Sequence, residues 1–259
     1  GSYKLYPVFK EIPADIETPV SAFLALKGEG EKGFLLESVE MEEKLGRFSF
    51  LGFKPELEFS AKKNKVSINF RGKIEEIESA NPIDEIKKVI NSFKEQTIES
   101  LPPFSAGLVG YFSYDSIRYF EELPDTKPDK LNLPDIYFVL PKILIAFDHI
   151  KQKMIFIAYA YSEDEKDEAL ALIETYENRL FDAKPAPRIP ESGKTEIHLK
   201  SNFKKEAVEA AVNKAKEYIV AGDIFQVVLS QRLKTETEIP PFDIYRKLRM
   251  INPSPYMFY

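Results

Sequence analysis

Composition sets the first limits on this chain of 259 residues, of which 44% are hydrophobic and 13% aromatic, enough for a substantial core rather than a disordered polymer. The formal net charge of −6, from 36 basic and 42 acidic side chains, argues against a nucleic-acid binder that works through a basic field. Cysteine is absent, which excludes disulfides, thiolate metal sites and cysteine nucleophiles within these residues and indicates the reducing cytoplasm.

Short strand-like segments dominate the first part of the chain. After a helix predicted over Pro19–Lys27 come β-prone runs separated by turn residues, namely Phe34–Leu36, Arg47–Leu51, Glu56–Phe59 and Lys65–Phe70. Asn81 and Pro82 predict the start of a second helix, because asparagine can cap a helix and proline suits its first turn. The buried face of that helix is expected to carry Ile83, Ile86, Ile90 and Phe93.

The glycines Gly28, Gly30 and Gly33 match the G-x-G-x-x-G dinucleotide fingerprint letter for letter. That fingerprint requires a preceding strand and a following helix, whose N-terminus meets the phosphates. Here the order is inverted, since a helix precedes the glycines and a strand follows them. We therefore predict a surface turn.

Two long apolar runs, Ile136–Phe147 and Met154–Tyr161, predict a central β-hairpin buried on both faces. The pattern Ser162–Glu165 then predicts a capping box, ahead of a helix with Leu170, Ile173, Tyr176 and Leu180 at helical spacing. Strands and helices mix without regular βαβ alternation. We therefore predict an α+β fold of mostly antiparallel sheets, packed as an orthogonal sandwich with flanking helices.

A proline-rich stretch over Asp182–Gly193 is the clearest linker. Beyond it, Ser201 or Asn202 is expected to cap a helix that ends at Gly222, and an apolar strand is predicted over Asp223–Arg232. A shorter helix over Pro241–Met250 leads into a last strand, inside which the chain stops. The fold is therefore expected to be truncated.

Three motifs carry a resemblance to a known family: Leu35–Ser38 with Gly46–Gly52, then Ala221–Arg232, then Asn252–Phe258. In order and separation they resemble the large subunit of anthranilate synthase, a chorismate-using enzyme. The resemblance implies that residues 3–181 form a regulatory region, 182–196 a linker, and 197–259 the start of a chorismate-binding catalytic region. The family is longer, so this chain is expected to end before the catalytic core does.

The resemblance implies a pocket for the feedback inhibitor L-tryptophan, in which Glu37, Ser38 and Arg47 supply polar contacts. From the other segment, Pro255, Tyr256 and Met257 would lie against the ligand. The chemistry is suitable, since a carboxylate and a hydroxyl can meet an ammonium, a guanidinium can pair with a carboxylate, and apolar side chains can cover an indole. It also requires that two segments distant in sequence fold side by side.

A plainer interpretation of the same residues is available from composition alone. Glu37 and Arg47 would be a surface ion pair, and Tyr256 and Met257 would be core. The two histidines, His149 and His198, have no metal-ligand spacing and are predicted to be surface residues.

Gln226 carries the sharpest chemical hypothesis. In related chorismate enzymes that add water, a lysine general base holds the matching position. Glutamine does not titrate near neutral pH and so cannot activate water, whereas ammonia is already nucleophilic. The resemblance thus implies that Gln226 excludes hydration; the alternative is a buried strand glutamine bonded to backbone.

The resemblance further implies a lyase of tryptophan biosynthesis that converts chorismate and ammonia to anthranilate and pyruvate. Mg²⁺ would be the cofactor, with its ligands expected beyond Tyr259 and none within this chain, so the chain alone is expected to be inactive. Ammonia would come from a glutamine amidotransferase subunit, because glutamine hydrolysis there uses a cysteine.

Two alternatives remain open: a non-catalytic amino-acid sensor, and the large subunit of aminodeoxychorismate synthase. Neither a nucleic acid nor a membrane is an expected partner, and no apolar run approaches the length that crosses a bilayer.

Overall fold

The computed structural model of the chain describes residues 2–38, 46–185, 187–189 and 197–259. Its strands are β1 (Tyr3–Pro13), β2 (Gly33–Ser38), β3 (Phe48–Lys62), β4 (Lys65–Phe70), β5 (Lys73–Glu78), β6 (Phe93–Glu95), β7 (Val109–Phe112), β8 (Ile136–Asp148), β9 (Lys153–Ala160), β10 (Lys200–Ser201), β11 (Leu233–Lys234) and β12 (Tyr256–Phe258). Its α-helices are α1 (Pro19–Leu26), α2 (Pro82–Ser92), α3 (Lys166–Phe181), α4 (Lys205–Ala221) and α5 (Pro241–Ile251), with 3₁₀ turns at Tyr114–Tyr119 and Glu163–Glu165.

Two compact units divide the chain. The first unit comprises residues 1–187 together with 245–259, and the second comprises residues 188–244. This division differs from the predicted one, which assigned the whole of 197–259 to a single region. The segment from Tyr245 onward joins the first unit because β12 adds a strand to its sheet. Part of the predicted linker, residues 186 and 190–196, lies outside the described residues.

A ten-stranded, mostly antiparallel sheet forms the first unit, in the order β12-β2-β3-β8-β9-β1-β6, with β4, β5 and β7 attached to β3 and β8. The pairing of β1 with β6 is parallel. The predicted α+β class with mostly antiparallel strands is confirmed. The predicted packing of sheets as an orthogonal sandwich stays a prediction. The hydrogen bonds join these ten strands into one sheet.

The hairpin β8–β9 lies at the centre of this sheet, with Ile143 opposite Ala158 and Asp148 opposite Lys153. All residues of β9 after Lys153 are buried, as are Ile143 to Asp148 in β8. Burial of successive residues covers both faces of the pleat, since side chains alternate across a strand. The predicted two-sided hairpin is confirmed.

Strand β3 runs along β8 for almost its entire length, and the register shifts between Pro55 and Leu57. Before this bulge β3 also pairs with β2, and after it with β4. A bulge bends a strand and increases its twist. The bulge therefore divides the sheet into a part that contains β2 and a part that contains β4. Strands β3 and β8 run through both parts.

Helices cover the sheet on apolar faces. Phe53 of β3 stacks between Phe23 of α1 and Tyr176 of α3, with ring centroids 5.6 Å apart in both pairs. Helix α2 buries Ile83, Ile86 and Val89 rather than the expected Ile90, which is 51% exposed. Both Val89 and Ile90 fit a helical period from Ile86, and packing against β4 selects Val89.

Two predicted caps differ from the structure. Ser162 makes no capping hydrogen bond, and the Glu165 carboxylate instead accepts from the Tyr161 backbone N–H at 3.1 Å. The N-cap of α4 is Lys204, while Asn202 accepts from the Arg232 N–H at 2.8 Å. A long-range backbone donor has displaced the local cap in the second case.

The second unit contains α4, which ends at Gly222 with φ of 81°, the left-handed conformation that glycine adopts readily. The strand predicted over Asp223–Arg232 is wrong, because only Leu233–Lys234 pairs, with Lys200–Ser201. An apolar, β-branched run favours a strand, but a strand forms only with a neighbour to accept its hydrogen bonds. In the described residues the backbone hydrogen bonds of that segment lie at its two ends, where Asp223 donates to the Tyr218 carbonyl and the Arg232 carbonyl accepts from the Asn202 N–H. No described helix is long and apolar enough to span a bilayer.

Candidate functional site

Two segments that are distant in sequence meet in the first unit as antiparallel neighbours. In the pairing of β2 with β12, Ser38 lies opposite Tyr256 and Glu37 lies opposite Met257. Beyond β12, the backbones of Leu35 and Tyr259 exchange two hydrogen bonds of 2.9 Å. The segment near the start of the chain and the segment near residue 257 therefore lie side by side.

Strand alternation divides the predicted site residues between two faces. Side chains directly opposite each other share a face, and successive side chains point to opposite faces. Glu37 and Met257 are therefore on one face, 4% and 7% exposed, while Ser38 and the 61% exposed Tyr256 are on the other. The side chains of Glu37 and Ser38 leave the strand in opposite directions, and their joint contact with one ammonium stays a prediction.

The Glu37 carboxylate is held by two residues of α5. Arg249 donates to it through Nε at 2.5 Å and through Nη2 at 2.7 Å. The Tyr245 hydroxyl donates to Oε1 at 2.9 Å. Burial and the Glu37 charge both raise the pKa of Tyr245, so its hydroxyl keeps its proton and remains a donor.

Helix α5 places these two donors on one face. Pro241 begins the helix, Asp243 lies in its first turn and Arg249 in its last, an order that suits the helix dipole. Tyr245 and Arg249 are four residues apart, so they are neighbours on the helix surface. The sequence predicts the helix but gives neither side chain a role, because their acceptor is more than 200 positions away. The spacing of four residues is the only local signal for the pair.

A second cluster lies next to Glu37. The Ser49 hydroxyl is fully buried, accepts from the Ser38 N–H at 3.2 Å, and lies 2.8 Å from Nε2 of His149. Burial lowers the pKa of His149, although the charges of Glu37 and Asp148 act in the opposite direction. A neutral imidazole can accept the Ser49 proton through Nε2, which places the imidazole hydrogen on Nδ1. The prediction that His149 is a surface residue holds only in part, since the residue is partly buried.

Arg47 is engaged within the protein. Its Nε and Nη2 donate to the two carboxylate oxygens of Asp148, at 3.1 and 2.6 Å, and its guanidinium lies 4.7 Å from the Phe48 ring centroid. Burial alone would raise the pKa of the 2% exposed Asp148, but bonds from Arg47 and the Lys151 N–H lower it. Asp148 is thus ionised and paired. Arg47 Nη1 makes no hydrogen bond within the described ranges.

The remaining predicted residues lie apart from this cluster. Pro255 and Tyr256 are exposed, next to the buried Met257 on β12. Gln226 belongs to the second unit, outside any strand and exposed, so the alternative of a buried strand glutamine is wrong. Two surface clefts, one at Arg118–Pro124 and one around Glu56 and Arg71, include none of the predicted site residues.

Formal charge in the cluster balances. Glu37 pairs with Arg249, Asp148 pairs with Arg47, and a neutral His149 adds no charge. Among the described residues, no group of three or more histidine, aspartate or glutamate side chains is arranged to hold a metal. The arrangement offers hydrogen-bond acceptors, a partly engaged guanidinium and apolar surface, which suits a neutral or zwitterionic organic ligand better than an ion.

The chain is similar in sequence to known proteins. A sequence-family profile described as chorismate binding enzyme matches residues 32–259. Anthranilate synthase component 1 of Acetivibrio thermocellus is 41% identical over 266 aligned positions, covering 99% of this chain and 54% of that protein. Its counterpart in Thermus thermophilus is 40% identical over 257 positions, covering 99% of this chain and 53% of that protein.

A solved structure is also similar. The crystal structure of anthranilate synthase component I from Streptococcus pneumoniae TIGR4 superposes with a TM-score of 0.67 at 30% identity, over 94% of this chain and 53% of that one. The chain thus spans about half the length of the curated relatives it matches.

Proposed function

This chain belongs to the chorismate-binding enzyme family, and we propose that it forms part of the large subunit of an anthranilate synthase. The complete protein would convert chorismate and ammonia to anthranilate, with loss of pyruvate and water. Similarity to component 1 proteins across 99% of the chain is the observation that carries this proposal. The absence of cysteine from the chain favours a cytoplasmic location.

The first unit would bind L-tryptophan as feedback inhibitor beside β2 and β12. Glu37 and Met257 share a face, so the ammonium would meet the carboxylate and the indole would pack on the thioether side chain. Arg47, with Nη1 directed away from Asp148, would pair with the ligand carboxylate. Ser38, Pro255 and Tyr256 stay predicted contacts. The side chains of Ser38 and Tyr256 leave the strand pair on the face opposite Glu37 and Met257, and Pro255 precedes β12.

The second unit would belong to the catalytic part. Gln226 would disfavour hydration of chorismate, because an amide cannot act as a general base. Ammonia would arrive from a glutamine amidotransferase subunit. Mg²⁺ would supply electrostatic stabilisation of the substrate carboxylate, but the described residues offer no ligand set for it, and we assign it no residue here.

Product analysis of the complete protein tests the activity. With chorismate, an ammonium salt and Mg²⁺, we expect anthranilate and pyruvate in equal amounts, and inhibition by L-tryptophan. The para isomer of aminobenzoate after lyase treatment would indicate aminodeoxychorismate synthase instead. No product, together with tryptophan binding, would indicate an amino-acid sensor.

Fluorescence polarisation tests the inhibitor site in this chain. The protein contains no tryptophan, so added L-tryptophan is the only indole fluorophore. We expect its polarisation to rise on titration with protein and to be reduced by Met257→Ala, which removes apolar surface. Lys73→Ala, an exposed position on β5, is the control and should bind as the wild type. No polarisation change with the wild type would contradict the proposed site.

A further inference from the structure

We propose that Arg249 is a positioning residue that sets which charge form of an indole ligand the β2–β12 site accepts. The inference rests on the proposed tryptophan site and deepens it. Arg249 lies outside all three motifs that carry the family resemblance. It acts through Glu37, whose carboxylate it orients and neutralises.

The geometry of the carboxylate is the first argument. An ionised carboxylate has about four acceptor positions. Three are occupied in Glu37: Oε1 accepts from Tyr245 and from Arg249 Nε, and Oε2 accepts from Arg249 Nη2. Among the bonds that the described residues make, one acceptor position on Oε2 is left for a ligand, which matches a single N–H of an ammonium. The bidentate fork also fixes the plane of the carboxylate, so that this last position points in a defined direction.

The charges of the two ion pairs also support this role of Arg249. Arg249 is 30% exposed at its side chain and Glu37 3%, so the pair is largely shielded from water. With Arg249 in place, the Glu37 pair and the Arg47–Asp148 pair are both neutral, and the site matches a zwitterion of zero net charge. Without Arg249, an uncompensated carboxylate would remain, and a ligand bearing only an ammonium would be favoured.

Indole ligands that carry different charged groups on a similar side chain test this. L-tryptophan is a zwitterion, tryptamine a cation and indole-3-propionate an anion, and all three report through indole polarisation. Under mildly alkaline conditions, wild type should bind L-tryptophan most tightly. In Arg249→Met we expect the affinity of tryptamine relative to indole-3-propionate to rise by about tenfold or more, while L-tryptophan weakens.

Further variants separate charge from shape. Arg249→Lys keeps the charge but loses the fork, so L-tryptophan should bind roughly three- to tenfold more weakly with its preference over tryptamine retained. Tyr245→Phe should lower the binding affinity of all three ligands by a factor of about two to ten. The double variant Glu37→Gln with Arg249→Met removes both charges and should return the tryptamine preference toward wild type. Lys247→Ala, exposed on the same helix, is the matched control.

Each failure has a distinct signature. If Arg249→Met lowers the binding affinity of all three ligands by the same factor, Arg249 has only a structural role and the inference is overturned. If Arg249→Met does not fold, Arg249→Lys decides, and unchanged L-tryptophan affinity in that variant overturns it. If wild type binds none of the three ligands, the proposed tryptophan site itself fails, and the inference fails with it.

Discussion

At the scale of single residues, the hydrogen-bond partners of the site fix protonation states that the sequence leaves undetermined. Ser49 is fully buried and can donate only to Nε2 of His149 among the described residues. Protonated His149 would donate from Nε2 to the Ser49 oxygen, and the Ser49 hydroxyl proton would then lose its acceptor among the described residues. The fold therefore favours neutral His149, in agreement with the lowering of its pKa by burial.

This state of His149 predicts a pH dependence of stability. In the unfolded chain a histidine takes a proton near pH 6.5, whereas folded His149 takes one only at lower pH. The unfolded state then binds more protons, so the free energy of unfolding falls as the pH drops from about 6.5 toward the folded pKa, and is fully retained above that window. Urea unfolding of wild type and His149→Gln at several pH values measures this.

We expect His149→Gln to lose less stability than wild type across that window. Glutamine still offers an oxygen to the Ser49 hydroxyl but does not titrate. Lys73→Ala, at an exposed position on β5, is the control and should behave as the wild type. If the free energies of unfolding of wild type and His149→Gln fall equally with decreasing pH, the neutral state assigned to His149 is contradicted.

At the scale of elements, the pairing of β2 with β3 depends on one glycine. Phe34 lies opposite Gly52, and its ring covers the glycine so closely that a Cβ there would come within 2.2 Å of the ring. Phe34 is buried, so the ring cannot rotate into solvent. Glycine is required at position 52 by this close approach, not by its backbone conformation.

Gly52→Ala should therefore destabilise the protein by about 1–3 kcal/mol, the usual range for overpacking in a core. The midpoint of urea unfolding at fixed pH measures it. Ser60→Ala, half-exposed on the same strand, should change stability by less than about 0.5 kcal/mol. Adding Phe34→Leu to Gly52→Ala should recover part of the loss, and a Gly52→Ala protein as stable as the control would refute the argument.

At the scale of the whole molecule, the proposed functions would divide between the two units. The first unit carries the proposed inhibitor site, and the second carries Gln226 in an exposed, irregular segment. The apolar run around Gln226 satisfies the sequence criteria for a strand, yet pairing is absent for it in the described residues. Its chemistry is therefore best examined in the complete protein.

In the complete protein, Gln226→Lys should allow some hydration of chorismate, since an amine whose pKa is lowered by its surroundings can act as a general base. Chromatography of the products should then reveal isochorismate beside reduced anthranilate. Gln231→Lys introduces the same charge a few residues away and should yield no isochorismate. If Gln226→Lys gives none either, Gln226 does not select the nucleophile.

Local pattern in the sequence was sufficient for much of the fold. The apolar runs of β8 and β9, the proline at the start of α2 and Gly222 at the end of α4 each encode burial or a dihedral preference in neighbouring residues. The family resemblance supplied the pairing of Glu37 and Ser38 with Tyr256 and Met257 as an expectation, which the strand register matches in position.

Tertiary structure alone decided which charged and polar groups meet. Arg249 reaches Glu37 across 212 positions, and Arg47 reaches Asp148 across 101. The identity of such partners depends on the complete path of the chain, whereas periodicity reports only how a segment divides its own side chains between core and solvent. For the same reason the sequence suggested a strand at Asp223–Arg232, because strand propensity is local but the hydrogen bonds that make a strand are not.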